Sequence, residues 1–552
     1  MGSEQSSEGL DNLKILAKRL TNSHDSNTEN AQKVPIVMVP GFSGWGTPLF
    51  GAVNYWGGIE NIPQKLAEDG KTVIVTPIAP LSSNWERACE LYAQLTSKRF
   101  LWYDLKKGTF NNHNNYQGIE VDYGDIFPRI YEYEQHTKNR KLPIIFTKDD
   151  KEEWADWVWS KDKPVHFICH SQGGNTVRYL LHLMERGSRN LTDATRPEFD
   201  SPAHATYFNE SGRSNWTISV STIGTPHRGS TIIDAIQDYF KAATPDEKTK
   251  LIGRLFAILS FNDPENRFYD LQLDHWGINR LTTAVGRESF PEMRARLESP
   301  ANNAPVYRWL HQNHNGLYDN TIAGVRDLNN STIPTLNNIY YFSLSFSCVK
   351  PFPKGWPKWT LNSLKYYPLR IREVTKPIPI VNGIARLTDN AVTLAAWSAE
   401  SIATPFREVM CWATNYIINP FIEEAGYKVT VPGPPDYQPV PSVFPPMLPT
   451  AYAMGCYNLT ECQVNILGDD THDWKINDGV VNTASMKGPL NRDDDQRDNS
   501  DTELIADASQ FPHRLEEIRA ARGKYWHCGT TTGMDHADQI GIFIEESTVR
   551  LL

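Results

Sequence analysis

Short apolar runs alternate with amphipathic segments along the first half of the chain. The runs "PIVMVP", "KTVIVTPIAP", "PVHFICHS" and "WTISVSTIGTP" are rich in β-branched residues and end at Pro, Gly or Ser, which is typical of buried strands. Segments such as "NIPQKLAEDG" and "NTVRYLLHLMERG" lie between them and have helical spacing. Buried strands that alternate with helices predict an α/β fold with a mostly parallel, doubly wound sheet.

Two stretches depart from this alternation. Residues 1–30 are polar and rich in Ser, Asn and Glu, which predicts a disordered N-terminal tail. Residues from about 346 to 465 include "KPFPKGWPKWT" and "VPGPPDYQPVPSVFPPMLP", so we expect a Pro- and aromatic-rich insertion packed over the core. Residues 31–552 are otherwise expected to form one domain.

The region from about 231 to 262 has a helical pattern with one apolar face. That face carries Leu251, Leu255, Ile258 and Leu259. One interpretation is an ordinary packed helix. The other is a helical lid, which covers a catalytic cleft in water and turns its apolar stripe toward lipid.

Composition narrows the class of partner. The 552 residues carry a formal net charge of -10 and no long basic run, which argues against nucleic acid and favours a neutral or apolar substrate. The sequence shows neither a signal peptide nor a transmembrane run, so we expect a cytoplasmic or peripheral protein. Gly2 and Ser6 match the pattern M-G-x-x-x-S, and N-myristoylation of Gly2 is kept as a hypothesis.

Ser171 stands in "CHSQGG", after a predicted strand and before a predicted helix. A nucleophile elbow requires this context, because small neighbours let the backbone turn sharply and expose the hydroxyl at the edge of the sheet. Cys169, also small, replaces the usual first glycine. The alternative is a helix cap, which needs neither the preceding strand nor a second glycine. We therefore predict that Ser171 is a nucleophile.

A serine nucleophile needs a histidine base and a carboxylate, which follow it in this type of fold. His536, in the glycine-punctuated loop "GTTTGMDHADQIG", is the favoured base, with His527 and His513 as rivals. Asp478, at the turn in "INDGVVN" and before the β-like segment "VVNTA", is the favoured acid, with Asp473 as its rival. The residues alone leave these alternatives open.

The oxyanion of an acyl-transfer intermediate needs two aligned backbone N–H donors. One is expected from Gln172, directly after the nucleophile, and the other from the loop after an early strand. The loop "VPGFSGWG" fits, and its glycines allow close approach of the main chain. Phe42 is then the second donor.

Many segments of the chain resemble the thermostable bacterial true lipases of the staphylococcal and bacillus type. They include "GFSGWG", "PLSSNWERACELYAQL", "HSQGGNTVR", "STIGTPHRGST", "FYDLQLDHWGI", "NDGVVNTASMKGP" and "MDHADQIG", in order from about residue 34 to 545. The resemblance implies an α/β-hydrolase fold and a lid around residues 247–261. It also implies these roles: nucleophile Ser171, acid Asp478, base His536, and oxyanion donors Phe42 and Gln172.

The chain departs from this family at its zinc ligands. Lipases of the family hold zinc with two aspartates and two histidines. The resemblance places the acidic ligands at Glu86 and Asp274, but the two histidine positions fall on Phe127 and Tyr133. Zinc prefers nitrogen or sulfur donors in a tetrahedral array, so we predict no structural zinc.

A calcium site that the resemblance implies after the catalytic histidine is only partly kept. Asp538 stands for one acidic ligand, whereas Phe543 occupies the place of another. We predict that the protein uses no cofactor.

The favoured function is a serine hydrolase of lipid carboxylic esters, working through a Ser-Asp-His triad and an acyl-enzyme. The predicted partners are a lipid or other apolar ester and, through the lid, a transient contact with a lipid surface. An acyltransferase or a pathway-specific esterase with the same triad is the alternative. A catalytically silent hydrolase-like scaffold is the third hypothesis.

Overall fold

The computed structural model describes most of the chain outside the long insertion. The described residues are 8–22, 34–49, 52–110, 118–119, 121, 140–187, 207–239, 244–267, 269–284, 286–351, 436–440, 443–444, 447–468, 471, 473–490, 504–512 and 514–542.

A large sheet forms the centre of the molecule. Within the described residues it has ten strands, in the order β13-β14-β10-β7-β6-β1-β2-β5-β3-β4. The strands of the structure are β1 Ile36–Val39, β2 Val73–Val75, β3 Leu101–Asp104, β4 Thr109–Phe110, β5 Ile144–Phe146, β6 Val165–His170, β7 Thr217–Ile223, β8 Thr282–Thr283, β9 Gly286–Arg287, β10 Tyr340–Ser347, β11 Val349–Pro351, β12 Tyr437–Pro439, β13 Ile505–Asp507 and β14 Tyr525–Thr532.

The sheet is parallel except near one edge. β1 pairs in parallel with both β2 and β6, and β7 pairs in parallel with β6 and β10. β2 with β5 and β3 with β4 are the antiparallel pairs of this sheet. The four apolar runs predicted as strands form β1, β2, β6 and β7. The prediction of an α/β fold with a mostly parallel sheet is therefore confirmed.

Helices connect and cover these strands. They are α1 Glu8–Asn22, α2 Ile62–Glu68, α3 Asn84–Thr96, α4 Lys151–Trp154, α5 Gln172–Arg186, α6 Ile232–Tyr239, α7 Pro245–Ser260, α8 Phe290–Leu297, α9 Pro305–His311, α10 Gly316–Asp319, α11 Ile322–Ser331, α12 Leu448–Cys456, α13 Glu461–Leu467 and α14 Leu515–Ala520. Short 3₁₀ turns lie at Ser214–Trp216, Pro264–Asn266, Asp274–Trp276, Thr483–Met486, Ala508–Gln510 and Asp538–Ile540.

The core is rich in aromatic side chains. Trp56, Trp85, Trp159 and Trp309 are each at most 1% exposed. α3 packs against α5, which follows the central strand β6 directly. Since α5 begins directly after Ser171, this packing anchors the predicted nucleophile.

No helix in the described ranges has the length and apolar character needed to cross a membrane.

The expected disordered tail is wrong for residues 8–22. They form α1, which packs against β14 and buries Leu10, Leu13 and Leu16. Asn12 Nδ2 donates to the Cys528 carbonyl at 2.9 Å. Leucines three residues apart line one side of a helix, and burial of that side stabilises it despite its polar neighbours. Gly2 lies outside the described residues.

The predicted insertion begins and ends in ordered structure. β11 and β12 pair antiparallel, so the two ends of the insertion meet in a small sheet. Residues 352–435 lie outside the described ranges. The segment "VVNTA", predicted as β-like, forms no strand. It turns at the Asn477–Asn482 bridge into the 3₁₀ turn Thr483–Met486.

Candidate active site

Ser171 lies at the turn between β6 and α5 with a strained backbone. Its φ is 53° and its ψ is −131°, a conformation that L-residues rarely adopt. The turn needs small neighbours, because a Cβ on Gly173 would lie 2.6 Å from the Val39 carbonyl oxygen. The Ser171 side chain makes no capping hydrogen bond to α5. The geometry is thus that of a nucleophile elbow and does not fit the helix-cap alternative.

His536 and Asp478 are brought together from separate loops. His536 Nδ1 lies 2.7 Å from Asp478 Oδ2, and both side chains are buried. Asp478 Oδ2 also accepts from Gln539 Nε2 at 2.5 Å. Asp478 Oδ1 accepts from the N–H groups of Val480 and Val481 at 2.9 and 2.7 Å. The carboxylate is therefore held on both oxygens, and one of them faces the imidazole.

The rival residues lie in other environments. His527 is on β14, where its Nε2 lies 2.8 Å from Ser345 Oγ, and burial lowers its pKa to about 4. Asp473 is exposed. His513 lies outside the described residues. Of the predicted pairs that the structure describes, only Asp478 and His536 form a carboxylate–imidazole contact.

The imidazole of His536 lies close to the elbow. Its ring centroid is 4.4 Å from that of His170, the residue before Ser171. Within the described part of the chain, no hydrogen bond joins Ser171 Oγ to His536 Nε2. Such hydrogen bonds are often long without substrate and shorten in the reacting complex.

Phe42 lies in the loop after β1, which contacts the elbow. A Cβ on Gly41 would lie 2.5 Å from Ser171 Cβ and 3.1 Å from Ser171 Oγ. Neither the Phe42 N–H nor the Gln172 N–H donates a hydrogen bond within the described ranges. Two unengaged N–H groups on either side of the serine are what an oxyanion requires.

His170 and Tyr55 support the elbow, and the sequence did not assign either a role at the site. His170 Nδ1 lies 2.6 Å from the Tyr55 hydroxyl, which accepts the Gly41 N–H at 2.8 Å. Burial, reinforced by the nearby His536, holds the pKa of His170 well below its usual value. His170 is therefore neutral at pH 7, and it adds no charge beside His536. The segment "NYWGG" contains Tyr55, but no local pattern predicts contact with residues more than a hundred positions away.

An apolar cavity of about 560 Å³ opens beside the Phe42 loop. It is lined by α6, α7, α9 and residues 313–321, including Ile233, Leu251, Ile252 and Leu317. Gly316, within the last of these segments, lies against the Phe42 ring, since a Cβ there would be 2.8 Å from it. The cavity can accept an apolar chain.

The helix α7 covers one wall of this cavity and exposes apolar side chains to solvent. Leu251 and Ile252 line the cavity, whereas Leu255 is 41% and Ile258 49% exposed. A helix that only packs against the core would bury this face. Leu255 and Ile258 instead form an exposed apolar ridge.

The two acidic positions implied for zinc contact other side chains in the structure. Glu86 Oε1 lies 2.8 Å from His275 Nε2, and Asp274 is paired with Arg267 at 2.9 Å. Phe127 and Tyr133 lie outside the described residues. In the ranges with described coordinates, no group of three or more His, Cys, Asp or Glu side chains could hold a metal ion.

Arginine side chains contact the buried groups around Glu86 and Asp274 instead. Arg140 Nη2 lies 2.8 Å from His275 Nδ1, and Arg140 Nε lies 3.3 Å from Glu90 Oε1. Since a guanidinium can only donate, His275 Nδ1 accepts and its Nε2–H donates to Glu86. Burial also holds the pKa of His275 below its usual value. Glu86, His275 and Arg140 thus form a buried hydrogen-bonded chain, and Arg140 is also ion-paired with Glu90.

Asp538, the acidic position that the resemblance implies for calcium, is buried in the 3₁₀ turn Asp538–Ile540. Its N–H donates to Asp535 Oδ1 at 3.0 Å. Phe543 lies outside the described residues.

Comparison with known proteins shows one consistent group of relatives. A family model described as "Lipase-like, C-terminal domain" matches residues 113–364. The lipase of Staphylococcus hyicus is 31% identical over 319 residues, which covers 57% of this chain and 41% of that one. The lipase of Staphylococcus epidermidis is 26% identical over 356 residues, covering 61% and 43%. The chain spans less than half the length of these curated relatives.

A solved structure supports the fold over nearly the whole chain. EstA from Clostridium botulinum superposes with a TM-score of 0.53 at 22% identity, covering 98% of this chain and 96% of that one. At this identity the likeness concerns the fold, which is of the α/β-hydrolase type.

Proposed function

We propose that the chain is a staphylococcal-type lipase, as its similarity to these relatives suggests, and that it hydrolyses carboxylic esters of lipids with Ser171 as its nucleophile. One observation carries the proposal. Ser171 occupies a strained turn between β6 and α5, and the unengaged N–H groups of Phe42 and Gln172 flank it. A serine of purely structural importance would need neither the strain nor the free donors.

In the proposed reaction, Ser171 Oγ attacks the ester carbonyl while His536 Nε2 takes the hydroxyl proton. The Phe42 and Gln172 N–H groups stabilise the oxyanion. His536 then gives the proton to the departing alcohol, which leaves an acyl group on Ser171. Water, activated by the same imidazole, releases the acid and restores the serine.

Asp478 keeps His536 in the tautomer that this reaction needs. Its Oδ2 accepts from Nδ1 at 2.7 Å, so Nδ1 carries the proton and Nε2 is free to accept one. Its other oxygen is fixed by two backbone N–H groups. The carboxylate therefore cannot rotate away when the imidazole becomes charged.

The cavity between α7 and the Phe42 loop supports a lipid ester as substrate. Its walls are mainly apolar, and its volume of about 560 Å³ lies within the range of small-molecule sites. We propose that the acyl chain lies in this cavity. We also propose that α6 and α7 act as a lid, whose exposed Leu255 and Ile258 contact a lipid surface.

Hydrolysis of an ester series tests the proposal. p-Nitrophenyl esters from acetate to palmitate, below and above their solubility limits, are assayed with the parent chain, Ser171→Ala and Ser509→Ala. Ser509 is exposed in the Ala508–Gln510 turn and serves as the matched control. We expect turnover that Ser171→Ala abolishes and Ser509→Ala preserves. Turnover by Ser171→Ala equal to that of the parent would exclude the proposed nucleophile.

Product analysis separates hydrolysis from acyl transfer, because both use the same acyl-enzyme. With a competing alcohol present, a hydrolase yields mainly free acid. A dominant new ester would instead identify an acyltransferase.

A further inference from the structure

A fully buried arginine, Arg87, holds the loop that carries Phe42. We infer that Arg87 is a positioning residue: it fixes the peptide that directs the Phe42 N–H toward the substrate oxyanion. The inference rests on the proposed function, since it assigns a part in the same reaction to a side chain that does not touch substrate.

The guanidinium of Arg87 joins three elements of the site. Its Nη2 donates to the Pro40 carbonyl, and its Nη1 donates to the Gly41 carbonyl at 3.3 Å and the Ala79 carbonyl at 2.9 Å. Its Nε donates to Thr176 Oγ1 at 3.1 Å. Thr176 is in α5, the helix that follows Ser171. One planar fork therefore ties the Phe42 loop to the nucleophile's helix.

Peptide geometry converts these contacts into an orientation of the Phe42 N–H. The Gly41 carbonyl and the Phe42 N–H belong to one planar trans peptide, so they point in opposite directions. The carbonyl faces Arg87 and also accepts the Gly44 N–H at 3.2 Å. The N–H must then point away from Arg87. Gly41 itself lies against Ser171, so the peptide that carries this N–H is next to the nucleophile.

The preceding peptide is fixed as well. The Gly41 N–H donates to the Tyr55 hydroxyl at 2.8 Å, while the Pro40 carbonyl on the same peptide accepts from Arg87. Both peptides that flank Gly41 are thus held by buried side chains. Rotation of either would require at least one buried donor or acceptor to lose its partner, which is costly.

The guanidinium of Arg87 donates only to neutral oxygens, namely three backbone carbonyls and the Thr176 hydroxyl. Burial lowers its pKa to about 10, so it remains a cation at neutral pH. Arg140 and Arg267, by contrast, pair directly with carboxylates. Arg87 forms no ion pair in the described part of the chain. Its hydrogen bonds to neutral carbonyls are charge-assisted and correspondingly strong.

The test compares an ester with its thionoester, in which sulfur replaces the carbonyl oxygen. Backbone N–H donors stabilise a developing oxyanion much better than a developing thiolate, so the ratio of the two kcat/KM values reports on the oxyanion donors. For Arg87→Lys we expect kcat on the ester to fall about 10- to 100-fold with KM changed less than about twofold. The ester-to-thionoester ratio is expected to fall by a similar factor.

Arg178→Met is the matched control. Arg178 is also buried in α5, but its side-chain hydrogen bond goes to Asn175 and none goes to the Phe42 loop. A general loss of stability in either arginine variant lowers both rates together and leaves the ratio unchanged. An unchanged ratio in Arg87→Lys would overturn the positioning role.

A second variant keeps the inference testable if Arg87→Lys does not fold. Thr176→Val removes the hydroxyl that accepts from Arg87 Nε while leaving the cation in place. We expect a smaller fall in the same ratio, and an unchanged ratio overturns the inference. If the parent chain hydrolyses no ester, the proposed function fails and the inference fails with it. If the parent is active and only the ratios stay constant, the inference alone fails.

Discussion

Replacing Asp478 with asparagine removes one charge from the site and reverses a hydrogen bond. In the parent, Asp478 Oδ1 accepts from the N–H groups of Val480 and Val481, and Oδ2 accepts from His536 Nδ1 and Gln539 Nε2. An asparagine has one acceptor oxygen. The two backbone donors retain that oxygen, so the side-chain NH₂ group faces the imidazole.

His536 Nδ1 must then accept a hydrogen bond from this NH₂ group, so the neutral imidazole carries its proton on Nε2. That tautomer cannot take the proton of Ser171. Loss of the correct tautomer and of the supporting charge costs roughly 10³- to 10⁴-fold in kcat, or about 4 to 5.5 kcal/mol in activation free energy. We therefore expect Asp478→Asn to retain the parent fold and KM, with kcat reduced by that factor.

The assay is steady-state hydrolysis of a soluble short-chain ester, with circular dichroism as the check on folding. Asp473→Asn is the matched control, because Asp473 is an exposed aspartate a few residues away. It should leave kcat unchanged. A folded Asp478→Asn variant with more than a tenth of the parent kcat would refute the tautomer argument.

Three further changes test other parts of the account. Gly41→Ala places a methyl group 2.5 Å from Ser171 Cβ, so the loop must shift and we expect kcat to fall by about 100-fold or more. Leu255→Ser combined with Ile258→Ser removes the exposed ridge of α7, and we expect about tenfold lower activity on emulsified long-chain ester with unchanged activity on soluble ester. Burial lowers the pKa of the His166 imidazole to about 4, below its usual value. The stability that depends on a neutral His166 is therefore fully present above about pH 6.5 and is lost as pH falls toward 4. Urea unfolding of His166→Gln should show roughly 2 kcal/mol less loss of stability over that range than the parent.

Each of these has a distinct control or contrary outcome. Ile15→Ser removes another exposed apolar side chain, on α1, and should not affect activity on emulsions. Equal losses on soluble and emulsified substrates in the α7 double variant contradict the lid. A Gly41→Ala variant with the parent kcat would show that the loop does not face the serine. Identical pH profiles for His166→Gln and the parent would remove His166 from the acid response.

The central strands and the elbow could be predicted because their signals are local. β-branched runs closed by Pro or Gly identify β1, β2, β6 and β7, and Ser171 follows one of these runs directly. The sequence also suggested Phe42 and Gln172, since both positions are defined by their distance from a predicted strand or from the serine.

Long-range features were beyond local pattern. Arg87 and Tyr55 act through contacts with carbonyl and N–H groups of the Phe42 loop, and burial of such polar groups is not visible in a periodic pattern. Asp478 and His536 are 58 positions apart, so only their folded contact distinguishes them from Asp473 and His527. The family resemblance, rather than the residues alone, favoured that pair.

Two local predictions failed for physical reasons. α1 was missed because its polar composition outweighed the three leucines that it buries against the sheet. "VVNTA" reads as a strand by propensity, but Asp478 Oδ1 captures the N–H groups of Val480 and Val481 and bends the chain. Side-chain competition for backbone donors commonly overrides β propensity in this way.

The most direct test of the central claim is to identify, by mass spectrometry, the residue that a serine-directed reagent labels. The parent chain is treated with a fluorophosphonate ester, and its peptides are mapped. We predict one phosphonyl group per chain, on Ser171, with parallel loss of ester hydrolysis and no labelling of Ser171→Ala. Labelling at another residue, or undiminished hydrolysis by the fully labelled protein, would contradict the assignment of Ser171 as the nucleophile.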